Sequence, residues 1–253
     1  NDQFIYSVPS YEWFEEVQTM RQKIRLHIEL NTGMNRYGVK WNIKNASWET
    51  HHTIEGIYTH FSSIELNDLS FQQIDRLKHF IDNLEFMPKW NHVGNAPAAL
   101  IRENQWINGV RYGLALYGYR GDIEGLQPVL SLSTKINHLD TLKAGESLGY
   151  NQSYTAKGNE IFATVPIGYG DGFDMRNNAC PLVSLGKPFD IIGAICMDQT
   201  MIRVDDTSSM KDEIEIIGSV RTLDKISLAT GITKYVLLTS LSPRIQRIYK
   251  DKI

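Results

Sequence analysis

Short apolar segments alternate with segments of helical period in the first half of the chain. Residues 24–30 alternate strictly between apolar and polar side chains, which is typical of a strand with two different faces. Ser10 is placed to cap a helix after the first strand, and Ser70 with Gln73 predicts the capping box of a second helix. Strands that alternate with helices build parallel sheets. The predicted strands are 4–8, 24–30, 56–59, a segment ending near His92, and 109–114.

These five βα units predict the α/β fold class. At ~25 residues per unit they correspond to a partial (β/α)8 barrel of the TIM type, about the last five of its eight units. From Gln127 onward the pattern becomes β-rich, and a helix at 223–230 is ended by Gly231. We therefore expect residues 1–122 to be the C-terminal part of a barrel and residues 123–253 to form a β-rich domain. The strands predicted in that domain are 129–136, 160–166, 182–184, 189–196, 201–204 and 213–217.

Composition and charge argue against several kinds of partner. The 253 residues carry 26 Lys and Arg against 29 Asp and Glu, and the net charge of -3 offers no attraction to nucleic acid. Two cysteines cannot form a disulfide framework or the paired spacing of a zinc site, so a reducing cytoplasm is expected. His51 and His52 should point in different directions, which argues against a metal site. No apolar run approaches the ~20 residues of a membrane helix.

Polar residues follow the predicted strands of the first half, where ligands bind in parallel α/β folds. They lie at 31–36, 59–60, 92–96 and 111–114. Arginines supply charge and ring contacts, and backbone N–H groups can hold a phosphate, so this rim favours an anionic, aromatic, nitrogen-containing ligand. Two alternatives stay open: His60 could be a local hydrogen-bonding residue, and Arg36 and Arg111 could be surface ion-pair partners. The glycine-rich segment 168–172 predicts a turn, because no capped helix follows it.

Six motifs occur along the chain in the order found in alanine racemases, and the chain resembles that family from about Phe4 to Tyr249. The ordered set is far more specific than any one of its members. The motifs are NTGMNRYG at 31–38, THF at 59–61, VRYGLALYG at 110–118, GESLGY at 145–150, VPIGYGDG at 165–172 and CMDQ at 196–199.

The resemblance implies a pyridoxal-phosphate enzyme that works as a homodimer, with its active site between the barrel of one subunit and the β-rich domain of the other. Racemisation of an amino acid held as an aldimine needs two opposed bases, because the α-proton leaves one face and returns to the other. In the family these bases are the cofactor lysine and a tyrosine, which matches Tyr150. Because a tyrosine is a weak base at neutral pH, His60, linked in turn to Arg111, would support its anion.

Further positions match residues that hold cofactor and substrate in the family. Arg111 would also face the pyridine nitrogen and leave it unprotonated, since an arginine keeps its own protons. Arg36 would contact the phenolic oxygen of the ring and lie near the substrate, and Tyr169 would stand at the substrate entrance. Backbone N–H groups of Ala96, Gly113 and Leu114 would hold the phosphate, and that of Met197 would hold the substrate carboxylate.

The chain departs from the family at the cofactor lysine. That lysine belongs to a Lys-Ala-Asn-Ala-Tyr-Gly-His string, which this sequence lacks, together with three barrel units. We therefore expect the chain alone to have no racemase activity. Asn31 stands where Asp is usual, Ala96 where Ser is usual, and Glu29 where some members carry a carbamylated lysine that orients the equivalent of Arg36. Pro243 replaces a phosphate-contacting Tyr, a position that also departs from Tyr in the serine/alanine racemases of vancomycin-resistance systems.

The leading expectation is a bacterial, cytoplasmic racemase that interconverts L- and D-alanine and supplies D-alanine for peptidoglycan. One alternative is a serine or broad-specificity amino-acid racemase, as the cytoplasmic part of a longer membrane-linked chain. The other is a non-catalytic, racemase-like module for dimerisation or binding that has lost its lysine.

Overall fold

The computed structural model describes residues 3–95, 105–119, 123 and 125–250. The chain divides into two compact units, Asn1–Leu116 and Tyr117–Ile253. The first contains a parallel sheet with helices and the second is β-rich, which confirms the predicted fold class. Within the described ranges, no helix has the length and hydropathy needed to cross a membrane.

A parallel sheet forms the frame of the first unit. The elements of this unit are β1 (Ile5–Val8), α1 (Tyr11–Val17), β2 (Arg25–Asn31), β3 (Val39–Lys40), β4 (Thr53–Thr59), α2 (Asp68–Asp82), β5 (Trp90–Val93) and β6 (Gly109–Val110). The strand order is β1-β2-β4-β5-β6, and β3 pairs with the end of β2. The four strands predicted up to His92 are confirmed, and so is the cap of α1, where the Ser10 side chain accepts the backbone N–H of Trp13.

The two faces of β2 have different surroundings. Leu26, Ile28 and Leu30 are buried and belong to a core that also contains Leu77 and Phe80 of α2. Because successive side chains of a strand point to opposite faces, the alternating polar residues of β2 lie on the other face of the sheet. The strand therefore fixes the polar face that carries the candidate site.

The cap of α2 differs from the prediction. Asn67 is the cap: its side chain accepts the backbone N–H of Ser70, and the Ser70 hydroxyl accepts the backbone N–H of Asn67. The predicted cap, Ser70, is therefore the third helical residue. Asparagine caps a helix as well as serine does. The helix therefore begins after Asn67, the earlier of the two possible caps. Gln73, predicted as part of the capping box, is completely buried and has a different role, described below.

The predicted strand 109–114 is wrong beyond Val110. Leu114–Tyr117 form a 3-10 turn, in which the N–H of Leu116 donates to the carbonyl of Gly113 at 3.0 Å. The turn buries Leu114 and Ala115 without extending the strand. A short apolar run alone cannot distinguish a strand from a helical turn.

The expected divergence of His51 and His52 is also wrong. Their ring centroids are 3.9 Å apart. Each Nε2 lies 2.8 Å from a backbone carbonyl near the end of α1, His51 at Met20 and His52 at Val17. Carbonyls at a helix C-terminus lack hydrogen-bond partners within the helix. Both imidazole rings lie side by side because each one is at such a carbonyl.

Antiparallel sheets make up most of the second unit. Its strands are β7 (Leu132–Lys135), β8 (His138–Leu142), β9 (Ser147–Leu148), β10 (Tyr154–Thr155), β11 (Glu160–Val165), β12 (Leu182–Ser184), β13 (Lys187–Phe189), β14 (Thr200–Val204) and β15 (Glu213–Ile217), followed by the helices α3 (Leu223–Thr230) and α4 (Lys234–Thr239). One sheet has the order β14-β11-β8, another has the order β13-β12-β15-β7, and β9 and β10 form a hairpin.

Most strand predictions in this unit are confirmed, and one is not. The segment 189–196 was expected to be a strand, but β13 ends at Phe189 and only an isolated bridge joins Ile191 to Ile202. Gly193 adopts φ 72°, a left-handed conformation that interrupts an extended chain. The pattern also missed β8, β9, β10 and α4, which are short or carry few apolar residues.

Arg221 is a buried cation at the centre of the second unit. Its side chain is 2% exposed, and its guanidinium lies 5.6 Å from the ring centroid of Phe173. Burial lowers the pKa of Arg221. Four acceptors compensate for the loss of water: the carbonyls of Pro181 (2.9 Å), Ile216 (2.5 Å) and Cys180 (3.1 Å), and the side-chain oxygen of Asn177 (2.8 Å).

Replacing Arg221 by Met should destabilise the second unit by about 3 kcal/mol, because buried acceptors lose their donors. Urea unfolding measures this loss. Arg247→Met is the matched control, since Arg247 also donates to backbone carbonyls but lies at the exposed surface. Equal unfolding midpoints for the two variants would contradict the role given to Arg221.

Candidate functional site

The polar face of the parallel sheet gathers side chains from four strands, β1, β2, β4 and β5. Glu29 pairs with Tyr58, Tyr58 with His92, and His92 with Gly109, so these residues form one row across β2, β4, β5 and β6. In β1, Ser7 pairs with His27. Paired residues of neighbouring strands share a face of the sheet. The face therefore collects two histidines, a tyrosine, a carboxylate and a serine.

Tyr58 is the centre of this row. Its hydroxyl donates to Oε2 of Glu29 at 2.8 Å and lies 2.5 Å from the hydroxyl of Ser7. The guanidinium of Arg111, which directly follows β6, lies 4.4 Å from the centroid of the Tyr58 ring. Burial is the main cause that raises the pKa of Tyr58, and the neighbouring Glu29 carboxylate acts in the same direction. Tyr58 therefore keeps its proton at neutral pH and acts as a donor.

Two histidines meet beside Tyr58. Nδ1 of His27 lies 2.9 Å from Nε2 of His92, and the His92 ring stacks on the Tyr58 ring at 4.6 Å with an interplanar angle of 12°. Burial, followed by the neighbouring His27 and Arg111, lowers the pKa of His92 to about 4. Burial also lowers the pKa of His27. Both rings are neutral at pH 7.

His60 follows β4 and presents an unpaired nitrogen. Within the described part of the chain, its buried Nδ1 has no hydrogen-bond partner. Burial lowers the pKa of His60, and the charges of Arg111 and Arg36 act in the same direction. The structure thus brings His60, Arg111 and Arg36 into one electrostatic environment. A neutral histidine between two cations can accept or donate one proton toward a ligand.

The loops that carry these residues are held by Gln73 and Asn31. The buried Gln73 amide donates to the carbonyl of His60 at 3.0 Å and to the hydroxyl of Thr32 at 3.1 Å, which ties the ends of two strands to α2. The Asn31 side chain accepts the N–H groups of Gly33 (3.2 Å) and Asn35 (3.1 Å) and so shapes the loop before the exposed Arg36.

Of the three residues expected to donate backbone N–H groups to a phosphate, the structure describes Gly113 and Leu114. A Cβ added at Gly113 would meet nothing within 4 Å in the part of the chain that the structure describes, so no described residue covers the backbone at that position. Leu114 begins the 3-10 turn that directly follows Gly113. Ala96 lies outside the described residues.

Tyr169 and Met197 come together in the second unit. The N–H of Tyr169 donates to the carbonyl of Cys196 at 3.0 Å, and that of Gly170 donates to the carbonyl of Met197 at 2.8 Å. The two segments approach so closely that a Cβ at Gly168 would lie 2.2 Å from the Cys196 oxygen. Glycine is therefore required there.

Asp171 links the segment around Arg244 to the segments that contain Tyr169 and Met197. It accepts the N–H of Gly168 at 2.9 Å and the Nε–H of Arg244 at 2.6 Å. Burial would raise the pKa of the Asp171 carboxyl, but these two donors outweigh it and lower the pKa. The ionised carboxylate fixes the segment that contains Pro243 beside Tyr169.

Tyr150 lies on a separate hairpin of the same unit, between β9 and β10. It is 73% exposed. The backbone after it is left-handed at Asn151 (φ 56°) and Gln152 (φ 52°), a conformation that non-glycine residues seldom adopt. Such strain is characteristic of functional sites when the surrounding structure maintains it.

Sequence reasoning did not identify Tyr58, His27 or Gln73 as site residues. His27 and Glu29 were recognised as the polar half of an alternating strand, but not as neighbours of Tyr58. The available signal was the alternation itself, because polar residues on the inner face of a predicted barrel have to find partners there.

Comparisons with known proteins agree across both units. A family model described as the N-terminal domain of alanine racemase matches residues 1–121, and one described as its C-terminal domain matches 129–249. The alanine racemase of Lacticaseibacillus paracasei is 32% identical over 266 residues, which cover 95% of this chain and 70% of that protein.

Solved structures give the same result. The alanine racemase of E. faecalis is 30% identical, with a TM-score of 0.82 over 95% of this chain and 71% of that one. The alanine racemase of Bartonella henselae was solved with covalently bound pyridoxal phosphate and is 23% identical to this chain. It matches with a TM-score of 0.84 over 98% of this chain and 73% of that one. At that identity it shows the fold alone. The predicted fold, part of an α/β barrel followed by a β-rich domain, is confirmed.

The low pKa of His92 predicts an acid-sensitive first unit. Since its pKa is about 4 in the folded state and roughly 6.5 in an unfolded chain, the unfolded state binds more protons between these values. The stability is complete above about pH 6.5 and is lost as the pH falls toward 4, by roughly 2 kcal/mol after allowance for partial solvent exposure. Chemical denaturation at pH 4.5 and pH 7 measures the difference.

The variant His92→Gln should reduce this pH dependence, because a glutamine does not titrate. His138→Gln, on an exposed strand of the second unit, is the control and should leave the slope unchanged. An unchanged slope in His92→Gln would show that other groups cause the acid sensitivity.

Proposed function

Since the chain belongs to the alanine racemase family, a family of pyridoxal-phosphate-dependent isomerases, we propose that its polar sheet face binds this cofactor and that it exchanges the α-proton of alanine. The observation that carries the proposal is the arrangement of Arg111 over Tyr58, in the same environment as the buried Nδ1 of His60, which has no hydrogen-bond partner among the described residues. A cation and an unpaired buried nitrogen in one place indicate a site built for a polar ligand.

The residues present fit pyridoxal phosphate. Its phosphate needs backbone N–H groups, which the open backbone at Gly113 and the start of the turn at Leu114 can offer. Arg111 would hold the ring nitrogen and, because it stays charged, would donate to that nitrogen without giving up its proton. Arg36 would hold the phenolic oxygen. When bound, pyridoxal phosphate supplies the electron withdrawal that acidifies the α-carbon of an amino acid.

Glu29 is proposed to supply a fixed negative charge in this site, near Arg36. Among the described residues, Glu29 accepts a hydrogen bond from Tyr58. Its negative charge raises the pKa of His60, whereas the charges of Arg111 and Arg36 lower it. The carboxylate thus offsets part of the positive charge around the cofactor ring.

The α-proton requires a base on each face of the substrate. We assign one of them to the hydroxyl of Tyr150, with His60 and Arg111 supporting its anion, while the N–H of Met197 binds the substrate carboxylate and Tyr169 lines the entrance. The lysine string that provides the second base in the family does not occur in this sequence. The chain alone should therefore exchange the proton on one face without racemising the substrate.

A homodimer completes the proposed site. Tyr150, Met197 and Tyr169 are 73%, 57% and 51% exposed in the single chain, as expected for residues that contact substrate in a partner's barrel. The relatives are bacterial enzymes, so we place the protein in the bacterial cytoplasm, where its product would be D-alanine for peptidoglycan.

Proton exchange in D2O tests the proposal. The full chain with pyridoxal phosphate should exchange the α-proton of one alanine enantiomer and not the other, measured by NMR, with no racemisation. Tyr150→Phe should lower that rate by about a hundredfold, because one general base is lost. Tyr235→Phe, an exposed tyrosine of α4, is the matched control.

Free pyridoxal phosphate, which cannot distinguish the enantiomers, gives the background rate. Exchange no faster than this background would favour a non-catalytic binding module. Faster exchange of serine than of alanine would favour the alternative amino-acid racemase, for which the specific observation is Pro243, held beside Tyr169 through Asp171.

A further inference from the structure

We propose that His27 and His92 form a one-proton pair that positions Tyr58, and with it Glu29, in the cofactor site, and that a second proton dismantles this arrangement in acid. The inference deepens the proposed function, because the site it describes is the one assigned above to pyridoxal phosphate. Neither histidine is assigned a contact with the cofactor, so both are positioning residues.

The distance between the two rings permits a single proton. Nδ1 of His27 and Nε2 of His92 are 2.9 Å apart, an ordinary hydrogen-bond length in which one nitrogen donates and the other accepts. If both nitrogens carried protons, two N–H groups would face each other and the rings would have to separate. The contact itself therefore holds one proton. A further proton must go either into this contact, which would separate the rings, or onto an outer nitrogen such as the buried Nε2 of His27, which has no partner among the described residues.

The surroundings of His27 indicate which nitrogen donates. Its Nε2 is buried and has no partner among the described residues. An orphaned N–H is rarer in proteins than an orphaned acceptor, so Nε2 holds the lone pair and Nδ1 carries the proton toward His92. Gly56 makes this ring position available: a Cβ at Gly56 would lie 2.8 Å from both Cε1 and Nε2 of His27.

The pair transmits its position to the rest of the row. His92 stacks on Tyr58, and the Tyr58 hydroxyl donates to Glu29. The row thus links β2, β5, β4 and back to β2 through two hydrogen bonds and one stacked contact. If His92 moved away, Tyr58 would lose the surface that holds its ring, and Glu29 would lose an ordered donor.

The charges around the pair determine its response to pH. Glu55 on β4 favours a further cation on the pair, whereas Arg25 on β2 and Arg111 after β6 disfavour one. Among the described residues, the pair also faces the neutral Tyr58 of β4 and Ser7 of β1. Arg25 and Glu55 already bind each other at 2.7 Å. Arg111 lies over the Tyr58 ring, so a second proton would place another cation beside the arginine assigned to the ring nitrogen.

Histidine NMR on the apoprotein tests the pair independently of any cofactor. Spectra of the full chain with 15N-labelled histidine should show both rings as single neutral tautomers at pH 7, with Nδ1 of His27 and Nε2 of His92 coupled to one proton. Lowering the pH should shift both rings and the Tyr58 ring signals in one joint step well below pH 6.5. Separate titration of either histidine near pH 6.5, the range of an unperturbed imidazole, would overturn the proposal.

Binding of pyridoxine 5′-phosphate tests the consequence for the site. This probe lacks the aldehyde and cannot react with surface lysines. Gly56→Ala, which displaces the His27 ring without changing either histidine, and His92→Gln should each weaken binding about tenfold at pH 7.5. Between pH 7.5 and 4, a range that reaches the pKa of about 4 of His92, both variants should lose affinity less steeply than the unmodified chain. Titration of the ligand phosphate is common to all three proteins and does not cause this difference.

Gly158→Ala, in the bend between β10 and β11, is the matched control and should bind like the unmodified chain. A Cβ at this position would meet nothing within 4 Å among the described residues. Equal affinities and equal pH slopes for Gly56→Ala, His92→Gln and the unmodified chain would contradict the positioning role. If the unmodified chain did not bind pyridoxine 5′-phosphate at all, the proposed cofactor site would fail, and the joint titration of the two histidines and Tyr58 would still decide whether the pair exists.

Discussion

The alternation of side chains along β2 is the constraint on which the first unit depends. One face of the strand must remain apolar, because Leu26, Ile28 and Leu30 complete the core under α2. A shift of one residue would bury the polar side chains in that core and expose the leucines, which the hydrophobic effect forbids. The register that satisfies the core therefore also determines that His27 and Glu29 face the partners supplied by β1, β4 and β5.

Neutral polar groups surround a concentrated positive charge on this face. Burial keeps the histidines uncharged and Tyr58 protonated, so the hydrogen bonds between them do not compete with Arg111 for a counter-ion. In a partly buried site such interactions are stronger than in water, and a fixed cation there favours an anionic or electron-rich ring. The second unit uses a comparable arrangement around Asp171 and Arg244 to hold the segments of Tyr169 and Met197 together.

The fold could be predicted from the sequence further than the site could. Alternation and caps are local, and they gave the parallel strands, the Ser10 cap and the division into an α/β part and a β-rich part. Asn67 and Ser70 show where local signals become ambiguous, since either residue can begin a helix. The ends of the predicted strands pointed to Arg36, His60 and Arg111 as part of a ligand-binding rim, whereas their individual roles, and Tyr150, came only from the family resemblance. The contacts of Tyr58 and His92 depend on the register between strands distant in sequence, which no local pattern specifies.

The polar face of the first unit is proposed to bind the phosphorylated pyridine ring of the cofactor. The most direct measurement is the affinity of the full chain for pyridoxine 5′-phosphate in three proteins: the unmodified chain, Arg111→Met, and Arg176→Met, whose arginine is exposed in the second unit and pairs with Asp174. If this face binds the ring, Arg111→Met weakens binding at least about tenfold, while Arg176→Met leaves it unchanged. Equal affinities for all three proteins would contradict the proposal.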